Sequence, residues 1–197
     1  MTDNLTEIVA IVDASGSMHS LISDVIGGLN EFIDGQKKIE GEANFTLITF
    51  DASVKTVMAN IALGDVPTIT EKHYEVGGMT TMNDAIGQGI VNLGNKLKSM
   101  PEDERPGTVV VAIMTDGQEN RSKEYTRADI KKMIEIQEND YQWEFIFMAA
   151  NMDAGTEGMS MGITPDKSMT FGADSTGMRA SMSYMSKKTT EYRTMKK

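Results

Sequence analysis

The 197-residue sequence predicts an α/β fold, with a mainly parallel sheet between two layers of helices. Three observations support this prediction. Apolar strand-like runs alternate with longer segments whose apolar residues recur at helical spacing. Two of the runs, at residues 8–12 and 109–114, are continuously apolar, which is typical of strands that are covered on both faces. Strands separated by helices favour parallel pairing through right-handed crossovers, so we expect a three-layer doubly wound architecture.

The N-terminal half predicts a strand, a helix, a hairpin and a second helix. Apolar residues at helical spacing run from Ile22 to Ile33 and from Ile86 to Leu97, and Pro101 ends the second of these helices. Pro67 indicates a loop between the hairpin and the second helix. The predicted elements are a strand at 7–13, a helix at 20–38, a hairpin of strands at 44–50 and 53–58, a loop at 64–73, and a helix at 82–100.

The C-terminal half continues the alternation of strands and helices. In the last helix Met178, Met182 and Met185 are spaced for one face, and we interpret them as a core-facing stripe rather than as a pliable partner-binding surface. The predicted elements are a strand that ends at 116, a helix from 126 or 127 to 139, a strand at 143–150, a short helix at 154–161, a short strand at 168–171 and a helix at 175–193.

Composition predicts one domain over residues 1–197. The length suits a single core, and no stretch is apolar enough to span a bilayer or to act as a secretion signal. The absence of cysteine excludes disulfides and thiolate metal sites, and we predict a cytoplasmic location. A net charge of −10 argues against binding to nucleic acid, and we expect no membrane partner and a monomer or weak oligomer.

A basic group near the C-terminus is the exception to the acidic composition. We interpret it as helix-end and tail charges in preference to a nucleic-acid contact. Its members are Lys187, Lys188, Arg193, Lys196 and Lys197.

Three oxygen-rich segments follow or separate the two apolar strands. The first strand runs into Asp13, Ser15 and Ser17, which form an Asp-x-Ser-x-Ser pattern that an ordinary turn could also use. The second ends at Asp116, which a glycine follows. Between them, a glycine pair at 77–78 precedes Thr80 and a helical pattern.

Together and in this order, these segments resemble the von Willebrand factor A family and its metal-ion-dependent adhesion site. The resemblance covers nearly the whole chain and is to compact stand-alone domains of bacteria and their phages. It implies a Rossmann-like sheet whose hairpin strand is an antiparallel edge. It also implies five metal ligands, with Thr81 as a less favoured substitute for the threonine. The implied ligands are Asp13, Ser15, Ser17, Thr80 and Asp116.

The resemblance implies a noncatalytic module that binds a protein partner through Mg²⁺, with Mn²⁺ as a substitute. Hydroxyl ligands leave the ion enough positive charge to accept an Asp or Glu carboxylate from the partner. One alternative is a Mg²⁺-dependent phosphatase or hydrolase, although Ala14 and Ser15 leave no second aspartate two residues after Asp13 and no base is evident. The other is a structural assembly subunit. No catalytic residue is predicted.

Several polar residues near these segments have competing interpretations. Asp51 fits a hairpin turn, and Glu119 and Asn120 could border the site. Asn151 and Asp153 fit either the rim of a crevice or a helix cap. The two histidines, His19 and His73, are isolated. We interpret His19 as a surface residue at a helix start rather than as a sensor of the metal or the partner's charge, because no further nitrogen ligands accompany it.

Overall fold

A six-stranded sheet forms the centre of the computed structural model, which describes residues 2–195. The strands are β1 (Thr2–Asp13), β2 (Glu42–Phe50), β3 (Val54–Ala62), β4 (Pro106–Thr115), β5 (Glu144–Ala150) and β6 (Ser168–Phe171). Their order is β3-β2-β1-β4-β5-β6. Every neighbouring pair is parallel except β2 and β3, which form the predicted antiparallel hairpin at one edge.

Helices cover both faces of this sheet. They are α1 (Ile22–Gln36), α2 (Met82–Ser99), α3 (Arg127–Tyr141), α4 (Ala154–Ser160) and α5 (Ser175–Thr194). The inward residues of α1 and α5 share one core cluster, and those of α2 and α3 share the other. The predicted three-layer α/β fold is therefore confirmed. None of the helices in this described part of the chain has the length and apolarity needed to cross a membrane.

Strand β1 contributes to both cores because its side chains alternate between the faces of the sheet. Ile8 and Ala10 pack on the α1 and α5 side, whereas Val9 and Ile11 pack on the α2 and α3 side. The strand begins at Thr2, earlier than predicted, because Thr2 pairs with Pro106 of β4 across an irregular register. Such pairing between distant segments leaves no local pattern in the sequence.

Helix α1 also differs from its predicted bounds. Residues Gly16–Leu21 form a 3-10 helix, so the α-helix starts at Ile22 and ends at Gln36, inside the predicted range of 20–38. The short 3-10 turn follows the polar loop directly and buries Met18 and Leu21. It lets the loop stay close to the end of β1 before the helix turns back along the sheet.

The methionine stripe of α5 is buried against α1 and the sheet, which confirms its predicted core-facing role. The two helices approach closely at Gly28, where an added Cβ would lie 2.4 Å from Met182 Cγ. Of the C-terminal basic group, Arg193 donates to the Gln36 carbonyl at the end of α1, while Lys187 and Lys188 lie near Glu191. The other two members, Lys196 and Lys197, lie outside the described residues.

The connection between β3 and α2 packs against α1. Asn30 of α1 donates to the Ile69 carbonyl and accepts from the Ile69 N–H, with lengths of 3.0 and 2.8 Å. Leu63, Val66 and Tyr74 are buried in the same core. The predicted loop is therefore anchored along its length, and it carries its last residues to the end of β1.

Candidate metal site

Two acidic residues lie side by side where the direction of the sheet's connections reverses. Asp13 ends β1, and Asp116 follows β4 directly. The two strands are parallel neighbours, with Val12 paired to Met114. The chain leaves β1 toward β2 and leaves β4 toward β5 on the opposite side. Loops that diverge in this way leave a crevice at the carboxyl ends of the strands, where ligands of open α/β sheets bind.

A chain of hydrogen bonds connects four of the five predicted site residues. Asp13 Oδ1 accepts the Ser15 N–H at 2.7 Å. The hydroxyls of Ser15 and Ser17 lie 3.1 Å apart, and Ser17 Oγ donates to Asp116 Oδ1 at 2.6 Å. The Asp-x-Ser-x-Ser loop and the acid after β4 therefore meet at one point.

Thr80 borders the same space. A Cβ placed on Gly117 would lie 3.7 Å from Thr80 Oγ1 and 4.0 Å from Ser17 Oγ. By contrast, Thr81 Oγ1 is buried and has no hydrogen-bond partner within residues 2–195. The structure thus brings together all five side chains predicted to meet, and it favours Thr80 over Thr81 as the threonine beside Ser17.

Backbone hydrogen bonds fasten the loop before Thr80 to the loop after β1. The Gly77 N–H donates to the Ala14 carbonyl at 2.7 Å, and the Gly16 N–H donates to the Gly78 carbonyl at 3.3 Å. A side chain at Gly77 would require Asp51 to move, because an added Cβ would lie 1.9 Å from Asp51 Oδ2. The two loops themselves approach closely at Gly16, where an added Cβ would lie 3.3 Å from the Gly77 carbonyl oxygen.

Two residues that support Asp13 were not predicted. Thr115 Oγ1 donates to Asp13 Oδ2 at 2.5 Å, and the Tyr74 hydroxyl donates to the Asp13 carbonyl at 2.5 Å. Both side chains are buried. The position of Thr115 immediately before Asp116 was an available signal, whereas Tyr74 lies in a polar connection with no pattern that marks it. Burial raises the pKa of Tyr74, and the nearby charges of Asp13 and Asp116 raise it further, so the hydroxyl remains a donor.

The two acids lie in a desolvated environment. Burial raises the pKa of Asp13 from 3.8 to about 6, although hydrogen bonds from Thr115 and Ser15 oppose the rise and the nearby Asp116 adds to it. Burial also raises the pKa of Asp116, and the bond from Ser17 opposes that rise. Neither acid forms a salt bridge with a basic side chain in the described chain. A bound cation would compensate these charges.

The surrounding donors suit a hard cation. No three side chains drawn from His, Cys, Asp and Glu come together at a metal-binding distance among residues 2–195. The remaining donors beside the two acids are the hydroxyls of Ser15, Ser17 and Thr80. An all-oxygen set of few carboxylates and several hydroxyls fits Mg²⁺ or Mn²⁺, and it fits poorly the metals that require nitrogen or sulfur ligands.

Of the two residues considered as borders of the site, Asn120 contacts Thr80, whereas Glu119 bonds to the start of α2. Asn120 Oδ1 accepts the Thr80 N–H at 3.1 Å, and its own N–H donates to the Thr80 carbonyl at 3.2 Å. Burial alone would raise the pKa of Glu119, but hydrogen bonds from Asn83, Ser122 and Arg121 outweigh it and lower that pKa. Glu119 therefore stays ionised at the start of α2.

The other polar candidates have local roles. Asp51 accepts from the Ser53 N–H at 2.8 Å, which confirms its interpretation as a turn residue. Asp153 accepts the N–H groups of Gly155 and Thr156, so it caps α4. Asn151 has a φ of 56° and is exposed at the end of β5. His19 is exposed as predicted.

Comparison with known proteins identifies the family. A model of the von Willebrand factor type A domain matches residues 7–181. No match was found among curated proteins. The fold is similar to that of the pilus adhesin SpaC from Lactobacillus rhamnosus GG in its open conformation, with a TM-score of 0.72 and 13% identity over 97% of this chain and 30% of the adhesin.

Two further similar structures are of metal-loaded proteins. Proximal thread matrix protein 1 from the mussel byssus, with a zinc-occupied MIDAS motif, has a TM-score of 0.63 and 15% identity over 92% of this chain and 47% of that protein. Manganese-loaded TRAP protein from Plasmodium vivax has a TM-score of 0.62 and 16% identity over 92% of this chain and 73% of that protein.

The chain spans about half the length of the mussel proteins that it resembles. At such low identity the structural likeness shows the fold alone, whereas the family model matches most of the sequence. This chain belongs to the von Willebrand factor type A domain family.

Proposed function

We propose that this domain is a noncatalytic protein-binding module that uses a divalent cation to accept a carboxylate from its partner. The residues that would hold the ion are Asp13, Ser15, Ser17, Thr80 and Asp116. The proposed ion is Mg²⁺, with Mn²⁺ as a substitute. The observation that carries the proposal is the convergence of three hydroxyls on two buried acids with which no basic side chain of the described residues forms a salt bridge.

The mixture of ligands supports a role in binding. Hydroxyl oxygens are neutral, so an ion held by two carboxylates and three hydroxyls keeps more positive charge than one in a cage of carboxylates. That charge attracts an Asp or Glu side chain from a partner. Ser17 is the exposed member of the set, and exposed Gly78 and Met79 precede Thr80. We therefore expect the partner to approach from the side of Ser17.

The family and the similar structures agree with this proposal at a coarser level. Domains of this family are known for metal-dependent protein interaction and adhesion. One of the similar structures has a zinc-occupied MIDAS motif, a second is manganese-loaded and a third is a pilus adhesin. A divalent cation in this domain is consistent with those proteins.

The residues after Asp13 disfavour the enzymatic alternative. A phosphatase of the type considered would use this strand-end carboxylate as its nucleophile and a second aspartate two residues later. Ser15 stands at that second position in this chain. Turnover of p-nitrophenyl phosphate in the presence of Mg²⁺, abolished by Asp13→Asn, would instead support the hydrolase.

A thermal-shift experiment tests the metal site. Saturating Mg²⁺ or Mn²⁺ should raise the melting temperature of the wild-type protein relative to EDTA, because an ion that binds only the folded state at about 100 times its Kd adds about 2.7 kcal/mol to the unfolding free energy. Asp13→Ala should abolish this rise and leave the protein folded. Asp34→Ala, at an exposed position of α1, is the matched control and should keep the full response.

An unchanged metal response in Asp13→Ala would place the ion elsewhere and refute the site. The partner's carboxylate is tested separately by pull-down of candidate partners with Mg²⁺ and with EDTA, followed by substitution of the partner's acidic residues. The single-domain organisation of residues 1–197, the cytoplasmic location, the bacterial or phage origin and the monomeric or weakly oligomeric state stay predictions.

A further inference from the structure

The N-terminus of α2 does not use the local cap that its sequence offers. Thr81 and Asp84 form the Thr-x-x-Asp pattern of a capping box, in which each side chain would accept the other residue's backbone N–H. In the structure Thr81 makes no side-chain cap, and its hydroxyl is buried without a partner among residues 2–195. The carboxylate of Asp84 points to a different set of donors.

The same pattern forms a complete box elsewhere in this protein. At the start of α3, Thr126 accepts the Asp129 N–H and Asp129 accepts the Thr126 N–H. The Thr-x-x-Asp sequence is therefore able to cap a helix locally in this chain. The different outcome at α2 reflects competing bonds from a distant segment.

That segment is the connection from β4 to α3, and it exchanges caps with α2. Glu119 Oε2 accepts the Asn83 N–H at 2.8 Å, and Ser122 Oγ accepts the Asp84 N–H at 3.0 Å. In return the Asp84 carboxylate accepts three backbone N–H groups of the connection at 2.9 to 3.0 Å; these belong to Lys123, Glu124 and Tyr125. We call this set of reciprocal bonds the α2 clamp.

The α2 clamp lies between two of the proposed metal ligands. Thr80 lies two residues before the first residue of α2, and Asp116 precedes the clamped connection. Asn120 bonds to both the N–H and the carbonyl of Thr80. The Tyr125 ring packs on Gly87, where an added Cβ would lie 2.5 Å from the ring. The clamp therefore holds the Thr80 segment and the Asp116 segment in one fixed arrangement.

We infer that Asp84 is a positioning residue for the metal site, which it serves by fixing Thr80 relative to Asp116 through the α2 clamp. This inference rests on the proposed function. Asp84 is 8% exposed, and both of its carboxylate oxygens accept N–H groups of the connection. Its role is to keep two ligands at the separation that one small cation requires, since Mg²⁺ tolerates little deviation from octahedral geometry.

The test compares Asp84→Ala with Asp129→Ala. The second variant removes the acid of the local box at α3 and leaves the α2 clamp intact, so it controls for the loss of a cap. The Mn²⁺ dissociation constant is measured by electron paramagnetic resonance of free Mn²⁺ at a temperature where each variant is folded, and the melting temperature is measured in EDTA. We expect Asp84→Ala to raise the Kd by about tenfold or more, the usual effect of losing a residue that supports metal ligands.

Asp129→Ala should lower the melting temperature in EDTA and leave the Mn²⁺ Kd unchanged. Thr81→Val should also leave the Kd unchanged, because it removes a hydroxyl that has no partner. If Asp84→Ala does not fold, Asp84→Asn replaces it. The amide oxygen of the asparagine can still accept the Glu124 and Tyr125 N–H groups, but its nitrogen is a donor and cannot accept the Lys123 N–H. We therefore expect a smaller rise in Kd than for Asp84→Ala.

Folded Asp84 variants with the wild-type Kd for Mn²⁺ would overturn the inference and leave the proposed function intact. An equal rise in Kd for Asp129→Ala would also overturn it, because a general loss of stability would then explain both results. A wild-type protein that binds no Mn²⁺ would overturn the proposed function and the inference together.

Discussion

Asp13→Asn is expected to stabilise the metal-free protein at neutral pH while removing its response to metal. The pKa of Asp13 is about 6 in the folded protein and 3.8 as its ordinary value, which represents the unfolded chain. At pH values between 3.8 and about 6, the Asp13 carboxyl therefore carries a proton more often in the folded state than in the unfolded state. The unfolding free energy therefore falls as the pH rises from about 4 to about 6, and the loss is complete above that range.

The size of this loss follows from the two pKa values. The difference between 3.8 and about 6 corresponds to about 3 kcal/mol. Asparagine carries no charge, so the variant escapes the penalty at pH 7 and above. Its side chain also fits the hydrogen bonds: Oδ1 can accept the Ser15 N–H, Nδ2 can donate to Thr115 Oγ1, and the Thr115 hydroxyl can donate to the Gly117 carbonyl, which lies 2.9 Å away.

Urea unfolding in EDTA at several pH values between 4 and 8 measures this effect. Asp13→Asn should exceed the wild type by about 3 kcal/mol at pH 7.5, and the difference should shrink toward zero at pH 4. Asp34→Asn makes the same change of charge at an exposed position and should follow the wild-type curve. Unfolding free energies of wild type and Asp13→Asn that run parallel across this range would refute the argument that burial destabilises the charged carboxylate.

Three further substitutions test other parts of the structure. Lys96→Met removes the ammonium group that lies 2.9 Å from the carboxylate of Glu7, whose side chain is 1% exposed, and should lower the unfolding free energy in urea by about 3 kcal/mol. Adding Glu7→Gln to Lys96→Met should restore the unfolding free energy, and a double variant as unstable as Lys96→Met would contradict the pairing. Gly28→Ala should lower the unfolding free energy by about 1 to 3 kcal/mol in the same assay, because the added methyl group overlaps Met182. A gain in stability would contradict the close approach of α1 and α5. Ser17→Ala should weaken Mn²⁺ binding in a calorimetric titration with little change of melting temperature in EDTA; unchanged affinity would exclude the exposed hydroxyl as a ligand.

The buried strands were predictable because each shows a local pattern, whereas the set of five site residues, with Thr80 among them, was implied by the family resemblance. Continuous apolar runs marked the buried strands β1 and β4, and the polar residues that follow them had to meet at one edge of a parallel sheet. The methionine spacing in α5 likewise reported its buried face.

The residues that support the site were not predictable in the same way. Tyr74 and Asp84 act through contacts with chain segments that are distant in sequence. Asp84 lies in a Thr-x-x-Asp sequence that is compatible with a local capping box, but in the structure it bonds to the connection after β4. The early start of β1 at Thr2 depends on pairing with β4 in the same way. Sequence periodicity reports which face of an element is buried, and it does not report which distant partner covers that face.

The outer strands of the sheet limit how another protein can associate with this domain. Strand β3 has two register shifts against β2, and Asn60 within it has a φ of 50°. Strand β6 at the opposite side is only four residues long. Neither border offers the long regular row of N–H and carbonyl groups that an incoming β-strand needs to extend a sheet. We therefore expect the domain to resist aggregation through pairing of its edge strands. Recognition of a partner is then expected to use the loops and helices.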